Sequence, residues 1–287
     1  MILTNSRGHG YKALGFLSES SPCAFHPGVF STRLLLKKGF AMIDVSVIIP
    51  VKDEVQNIEP VARELSRAMD GQGWSWECIW VDDGSQDGSL EVIERMCREN
   101  PSHRYISFER NFGKAAAMWA AYREARGAVF ADMDGDGQND PADLPPLIRM
   151  VLSGEVDFAN GYRARRRDNL FRIVSSRIGN GFRTLLTGRT VRDVGCATRA
   201  YRRELAFCLP RFSGMHRFLA PLMLMNGARI AEMPVNHRPR LHGVSKYGVR
   251  NRLWVGLIDT FGVLWLRKRG FQYRIARSSD VLPKAHR

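Results

Sequence analysis

The sequence predicts an α/β domain with a mostly parallel central sheet flanked by helices. Two observations carry the prediction. From Val45 onward, short apolar runs of strand length alternate with amphipathic stretches of helix length, and acidic residues stand just past the ends of several runs.

In chain order, "VSVIIPV" (45–51) is read as a buried strand. A helix follows, capped by Asn57, with Pro60 in its first turn and Ile58, Val61, Ala62, Leu65 and Met69 on one apolar face. "ECIWVDD" (77–83) gives the second strand, followed by a helix from about Ser89 to Arg98 and the strand "RYISFE" (104–109). A helix from about Gly113 to Ala125 leads to the strand "GAVFADM" (127–133), and "VDFANGYR" (156–163) is the fifth. No internal repeat interrupts the alternation, so residues 42–240 are assigned to one doubly wound domain. Residues 1–41, rich in Ser, Gly and basic residues without period, are expected to be a disordered extension. Residues 241–271 are read as a loop and an amphipathic membrane-surface helix, and 272–287 as a loose basic tail.

A composition of 44% hydrophobic and 25% charged residues is ordinary for a globular chain and excludes disorder throughout. The formal net charge of +14 points to an anionic partner: nucleic acid, an acidic membrane surface, or phosphorylated substrates. No basic-aromatic stacking pattern or recognition motif is present, so nucleic acid is not expected. The five cysteines form no Cys-x-x-Cys, which indicates neither a disulfide framework nor a zinc site and makes a reducing, cytosolic setting the default. No stretch reaches the roughly 20 apolar residues of a bilayer-spanning helix. "LWVGLIDTFGVLWL" (253–266) contains Asp259 and is bracketed by Arg250, Arg252 and the run Arg267, Lys268, Arg269, which suits a helix lying on a membrane surface.

In open α/β sheets, ligands sit beyond the carboxyl ends of the strands, where strand order reverses. Asp53 and Glu54 follow the first strand, Asp82 and Asp83 end the second, and Asp134 and Asp136 follow the fourth, so these carboxylates are expected on one rim. Read from Asp132, "DMDGDGQNDPAD" also has the spacing of an EF-hand calcium loop. That reading fails on its flanks. The loop would be entered from a strand, it contains Pro141, and it ends in Asp143 where a bidentate Glu belongs. Asp140 is instead read as the N-cap of a helix with Pro141 at its first position. A strand-end Asp-Gly-Asp, with the neutral oxygen of Gln138, suits a hard divalent cation shared with a diphosphate.

The segments "VSVIIPVKDEVQNI", "WVDDGSQDGS", "RNFGKAAAMWAAYREARG", "ADMDGDGQNDPADLPPLI", "NGYR", "RDVGCATRAYRR" and "HRPRLHGVSKYG" follow one another here in a telling order. In that order and spacing the chain resembles the family 2 glycosyltransferases, in their polyprenyl-phosphate (dolichol-phosphate mannosyltransferase-like) branch, over about Ile43 to Arg269. The resemblance implies a GT-A nucleotide-sugar fold, Mg2+ or Mn2+, and transfer of one sugar with inversion from a nucleotide diphosphate sugar to a polyprenyl phosphate. By the family pattern, Pro50, Asp53 and Glu54 line the base and ribose pocket, with Asp82, Asp83 and Lys114 near the nucleotide or its phosphates. Asp134, Asp136 and Gln138 match the metal and diphosphate motif. Arg163, Arg172 and Ser176 match positions that hold the acceptor phosphate and the diphosphate. Asp193 takes the place of an acid beside the acceptor, while Arg238 and Lys246 sit in a segment similar to the family's mobile phosphate-covering loop.

A phosphate monoester, with its second pKa near 6, is already anionic at neutral pH and needs no strong general base. Asp193 is therefore expected to orient rather than to accept a proton, with Asp136 and Arg163 the other catalytic candidates. Arg165, Arg166 and Arg167 are expected to face lipid headgroups. The C-terminal pair of transmembrane helices that many family members carry is missing. The expected anchor is the interfacial helix from Trp254 to Arg269 together with a separate small membrane protein; Trp254, Phe261 and Trp265, at helical spacing, fit a core face as well as membrane docking. GDP-mannose is the first donor expected, then UDP-glucose, then an amino sugar. The rival acceptor is a polysaccharide. A signalling phosphate-receiver domain is disfavoured because the chain is too long and the Arg-rich segment would be unexplained.

Overall fold

Strand β2 (Ile43–Val51) shows how the sequence builds both layers of the core. Its alternate residues Val45, Val47, Ile49 and Val51 pack to one side, while Ile48 packs to the other. A computed structural model of the chain describes residues 42–164, 191–240 and 249–270, with the main chain of 12–13; in the last helix, side chains are described from 255 onward. The remaining strands are β1 (Lys12–Ala13), β3 (Trp76–Asp82), β4 (His103–Ser107), β5 (Gly127–Asp132), β6 (Phe158–Arg163), β7 (Arg199–Arg202) and β8 (Ile230–Val235). They form one sheet in the order β1-β8-β6-β7-β5-β2-β3-β4. Pairing is parallel for β4-β3-β2-β5 and for β6-β8, and β7 runs antiparallel between β5 and β6.

Helices α1 (Val55–Met69), α2 (Ser89–Glu99) and α4 (Leu144–Leu152) cover one face through Ile58, Val61, Leu65, Ile93 and Leu147. Helices α3 (Lys114–Glu124), α5 (Arg203–Phe207) and α6 (Leu219–Met225) cover the other through Met118, Tyr122, Ala206, Leu222 and Met223. The last helix, α7 (Val249–Arg269), adds Val263 to that second cluster.

Three features differ from the sequence expectation. Helix α1 starts at Val55, so Asn57 is not its cap but a buried residue inside it, donating to Glu54 Oε2 at 2.6 Å. The first N–H groups are satisfied from another loop: Glu54 N donates to Ser89 Oγ at 2.9 Å and Val55 N to Asp87 Oδ2 at 3.1 Å. Pro60 consequently falls in the second turn. Strands β7 and β8 were not read from sequence, because their arginines, Glu232 and Pro234 carry no strand pattern. Asp140 does cap the turn beginning at Pro141, accepting from Ala142 N at 3.1 Å.

At the start of edge strand β4, buried His103 accepts from Trp80 Nε1 through Nδ1 at 3.0 Å, which places the ring proton on Nε2, toward Ser66 Oγ at 3.2 Å. Burial pushes its pKa down from 6.5 to about 4, only partly offset by Asp70. A depressed base stabilises the fold fully above its unfolded pKa and loses that contribution as pH falls from 6.5 toward 4. The expected result in an NMR titration is that the His103 ring protons stay at their neutral shifts at pH 5.5; a midpoint near 6.5 would contradict the buried neutral ring.

Candidate functional site

The reversal of strand order falls at β2, which lies between β3 and β5 and puts the carboxyl ends of these three strands side by side. At the end of β2, Asp53 adopts a left-handed backbone (φ 47°) held by the neighbouring loop: its N donates to Ser85 Oγ at 2.8 Å and its Oδ1 accepts from Gln86 N at 2.8 Å. Pro50 lies in the strand itself, opposite Val81. At the end of β3, buried Asp82 accepts from Ser85 N at 3.1 Å and from Ser107 Oγ at 3.2 Å. Asp83 accepts from Phe112 N at 2.7 Å and Gly113 N at 3.1 Å, which fixes the turn into α3 and so the position of Lys114. Burial pushes the Asp83 carboxyl above its ordinary range. Asp82 and Asp83 thus fix the loops that follow β3, through main-chain N–H groups and the Ser107 hydroxyl.

Beyond β5, the Asp134 carboxylate pairs with Lys114 Nζ. Burial alone would raise its pKa, but the Lys114 ammonium together with the charge of Arg199 holds it below the usual range. The side chain keeps 39% of its surface accessible. Asp136 accepts from Gln138 N at 3.1 Å and pairs with Arg240 at 2.6 Å, and Arg240 also reaches Glu54 at 3.4 Å. Arg240 therefore ties the ends of β2 and β5 together. Arg238 faces elsewhere, toward Glu64 at 2.5 Å and Asp140 at 2.9 Å, and its main-chain N donates to Gln138 O at 2.8 Å. Of the two arginines in "HRPR", Arg240 meets the strand-end carboxylates, and Arg238, expected at the acceptor phosphate, pairs with Glu64 and Asp140.

Gly135 lets this turn press onto β2: a Cβ there would lie 2.4 Å from Val51 Cγ1 and 3.3 Å from Ile49 Cγ2. Gly135→Ala is expected to cost about 1–3 kcal/mol, as overpacking does, and to displace Asp134 and Asp136. Thermal melts with nucleotide titrations check this; unchanged stability and binding would mean the turn is not constrained.

The other half of the rim comes from β6 and β7. The register aligns Asp132 with Arg199 and Arg199 with Asn160, so β5 and β6 run in the same direction and Asp134 and Arg163 lie at the same end of the sheet. Arg163 grips Asp193 through Nε at 2.6 Å and Nη2 at 2.9 Å, and Gly195 N adds a contact at 3.2 Å. Beneath the rim, Tyr201 donates to Asp132 at 2.8 Å, and burial raises that carboxyl to about 6. The Asp132–Arg199–Tyr201 group was not singled out from sequence. Arg172, Ser176 and Lys246, with Arg165, Arg166 and Arg167, lie outside the described residues.

Among the described residues, no three His, Cys, Asp or Glu side chains converge as a metal cluster. Two carboxylates and one amide oxygen still fit Mg2+ or Mn2+, which binds through one or two carboxylates and takes its other oxygens from phosphates and water. The donors that fit are Asp134, Asp136 and Gln138, whose Nε2 is spent on Arg238 O at 3.4 Å.

A sheet of this order, with strand-end carboxylates at its reversal and one antiparallel strand beside them, is the GT-A arrangement of nucleotide-sugar transferases. The chain belongs to glycosyl transferase family 2, whose model matches residues 46–208. It is 35% identical over 230 residues to dodecaprenyl-phosphate galacturonate synthase of Rhizobium johnstonii, covering 79% of this chain and 68% of that one. It is 35% identical over 204 residues to undecaprenyl-phosphate 4-deoxy-4-formamido-L-arabinose transferase of Salmonella paratyphi B, covering 71% of this chain and 62% of that one. Among solved structures, a mannosyltransferase from Pyrobaculum calidifontis in complex with GDP-Man and Mn2+ matches with TM-score 0.59 at 19% identity, over 86% of this chain and 73% of the other. Glucosyl-3-phosphoglycerate synthase from Mycobacterium tuberculosis with Mn2+, uridine-diphosphate-glucose and phosphoglyceric acid matches with TM-score 0.57 at 21% identity, over 85% of each chain.

Proposed function

We propose that this glycosyltransferase moves a sugar from a nucleotide diphosphate sugar to a polyprenyl monophosphate, with inversion, at the cytoplasmic membrane face. The observation that carries the reading is the two-part rim: carboxylates suited to a diphosphate-bound cation at β5, and a clamped arginine, Arg163, on β6 for an anionic acceptor. Mg2+ or Mn2+ held by Asp134, Asp136 and Gln138 would neutralise charge on the departing diphosphate. Lys114, Arg163 and Arg240 supply fixed positive charge around it, which is the main requirement when a phosphate attacks beside a diphosphate.

The names of the two bacterial relatives support a polyprenyl-phosphate acceptor over a polysaccharide. They weigh against ranking mannose first, since they name galacturonate and 4-deoxy-4-formamido-L-arabinose. Membrane contact is supported by the exposed apolar residues Val255, Ile258, Phe261 and Trp265 of α7 and the basic run Arg267, Lys268 and Arg269 after them, although the helix as a whole does not separate apolar from polar faces as the sequence led one to expect. No helix among the described residues is long and apolar enough to cross a membrane.

The test is transfer of radiolabelled sugar from GDP-mannose, UDP-glucose and UDP-galacturonate into organic-extractable lipid, with undecaprenyl phosphate and Mn2+ or Mg2+. Metal-dependent lipid label is expected with one donor. Donor binding without lipid label from any of them would defeat the polyprenyl-phosphate acceptor.

A further inference from the structure

The carboxylates that suit a divalent cation already hold cations of the chain's own. Asp134 Oδ1 pairs with Lys114 Nζ. Asp136 uses both of its oxygens: Oδ1 accepts from Gln138 N at 3.1 Å, and Oδ2 accepts from Arg240 Nη2 at 2.6 Å. Arg240 Nη1 also reaches Glu54 Oε1 at 3.4 Å, so one guanidinium bridges two carboxylates whose side chains are only 14% and 10% exposed. An ion coordinating Asp136 through Oδ2 would stand against this guanidinium, cation to cation. With Lys114 on Asp134 and Arg240 on Asp136, an ion added without any exchange would meet a positive group on each of its carboxylate ligands. Arg240 and a divalent cation therefore compete for the same oxygen.

The exchange asks for the movement of one side chain only. The segment 236–240 is fastened by other contacts: Asn236 N donates to Asp143 Oδ2 at 2.7 Å, His237 bridges to Asn139, Arg238 N donates to Gln138 O at 2.8 Å, and the Arg238 side chain holds Asp140 at 2.9 Å. None of these involves the Arg240 guanidinium, which can turn off Asp136 while the segment stays docked. Glu54 is not stranded by that turn, because its Oε2 accepts from Asn57 Nδ2 at 2.6 Å. We propose that Arg240 is a tethered stand-in for the divalent cation: it neutralises Asp136 before the ion binds, yields Asp136 to the ion, and is released toward the anionic ligand that the ion brings. Such coupling is reciprocal, so Arg240 weakens the ion by the same factor by which the ion loosens Arg240.

This inference rests on the metal-dependent transferase reading above, and the experiment separates the two. Mn2+ binding is measured by electron paramagnetic resonance on wild type, Arg240→Gln and Arg238→Gln, with and without GDP or UDP. Without nucleotide, Arg240→Gln is expected to lower the Mn2+ Kd about five- to tenfold, between the scale of an exposed ion pair and that of a charged hydrogen bond. Arg238→Gln removes an equal charge two residues away, from Glu64 and Asp140, and should change that Kd less than about twofold. In wild type labelled with 15N-arginine, the Arg240 Nε–H signal, identified by its loss in Arg240→Lys, should shift with Mg2+ at the concentrations that displace Mn2+. Mn2+ binding seen only in Arg240→Gln supports the exchange. An unchanged or raised Kd in that variant, or equal tightening in both Gln variants, overturns the exchange and leaves the metal reading standing. Mn2+ bound by no variant and not by wild type, with or without nucleotide, defeats the metal site, and this proposal with it. If Arg240→Gln does not fold, the wild-type titration decides alone: a signal that moves with Mg2+ supports the exchange, and one that stays fixed at saturating Mg2+ overturns it.

Discussion

Asp136→Asn is expected to lower kcat by a factor on the order of 10²–10³ while leaving the melting temperature within a few degrees of wild type. The two effects separate because of what Asp136 touches. Its Oδ1 holds the turn through Gln138 N at 3.1 Å, a bond that an amide oxygen can still accept. Its Oδ2 carries the ion pair with Arg240, and when that pair is lost the guanidinium keeps Glu54 at 3.4 Å, so no arginine is left without a carboxylate. The lost charge matters only when a diphosphate must be neutralised, because the variant offers a divalent cation one carboxylate in place of two. Mn2+ affinity, measured by electron paramagnetic resonance, should fall in parallel with kcat. Activity within tenfold of wild type would remove Asp136 from the diphosphate site.

The sequence was most legible where one local pattern decided the outcome. Strands β2 to β6 are legible because alternating or continuous apolar runs face two packed layers, and the strand-end position of Asp134 and Asp136 is legible because they follow such a run. What escaped the reading depends on distant partners. The start of α1 is set by Asp87 and Ser89, more than thirty residues away, so no local cap marks it. Strand β7 is a strand because it slots between β5 and β6, where buried Arg199 meets Asp132; "RAYR" alone has no reason to be extended. Arg238 and Arg240 are two residues apart and chemically identical. Only the packing of the 236–240 segment along Gln138 and Asn139 sends one toward Glu64 and the other toward Asp136.

The Arg163–Asp193 pair distinguishes an orienting acid from a base. Side-chain exposures of 16% and 11% make it nearly buried, so Asp193→Ala, which strands the guanidinium, is expected to cost about 3–5 kcal/mol of stability. Chemical denaturation measures this, and pairing the change with Arg163→Ala should recover part of the loss, since the two losses are one interaction. Asp193→Asn is the catalytic test. The carboxylate already accepts from Arg163 Nε, Arg163 Nη2 and Gly195 N, a set of contacts that holds an arginine rather than awaiting a proton. The acceptor phosphate brings its own second ionisation near pH 6. Asp193→Asn should therefore lower kcat/KM by misaligning Arg163, yet keep the acid limb of the pH-rate profile near 6, because that limb belongs to the lipid phosphate. A base would behave otherwise: the limb would vanish with the carboxylate, and the residual rate would no longer depend on pH across that range.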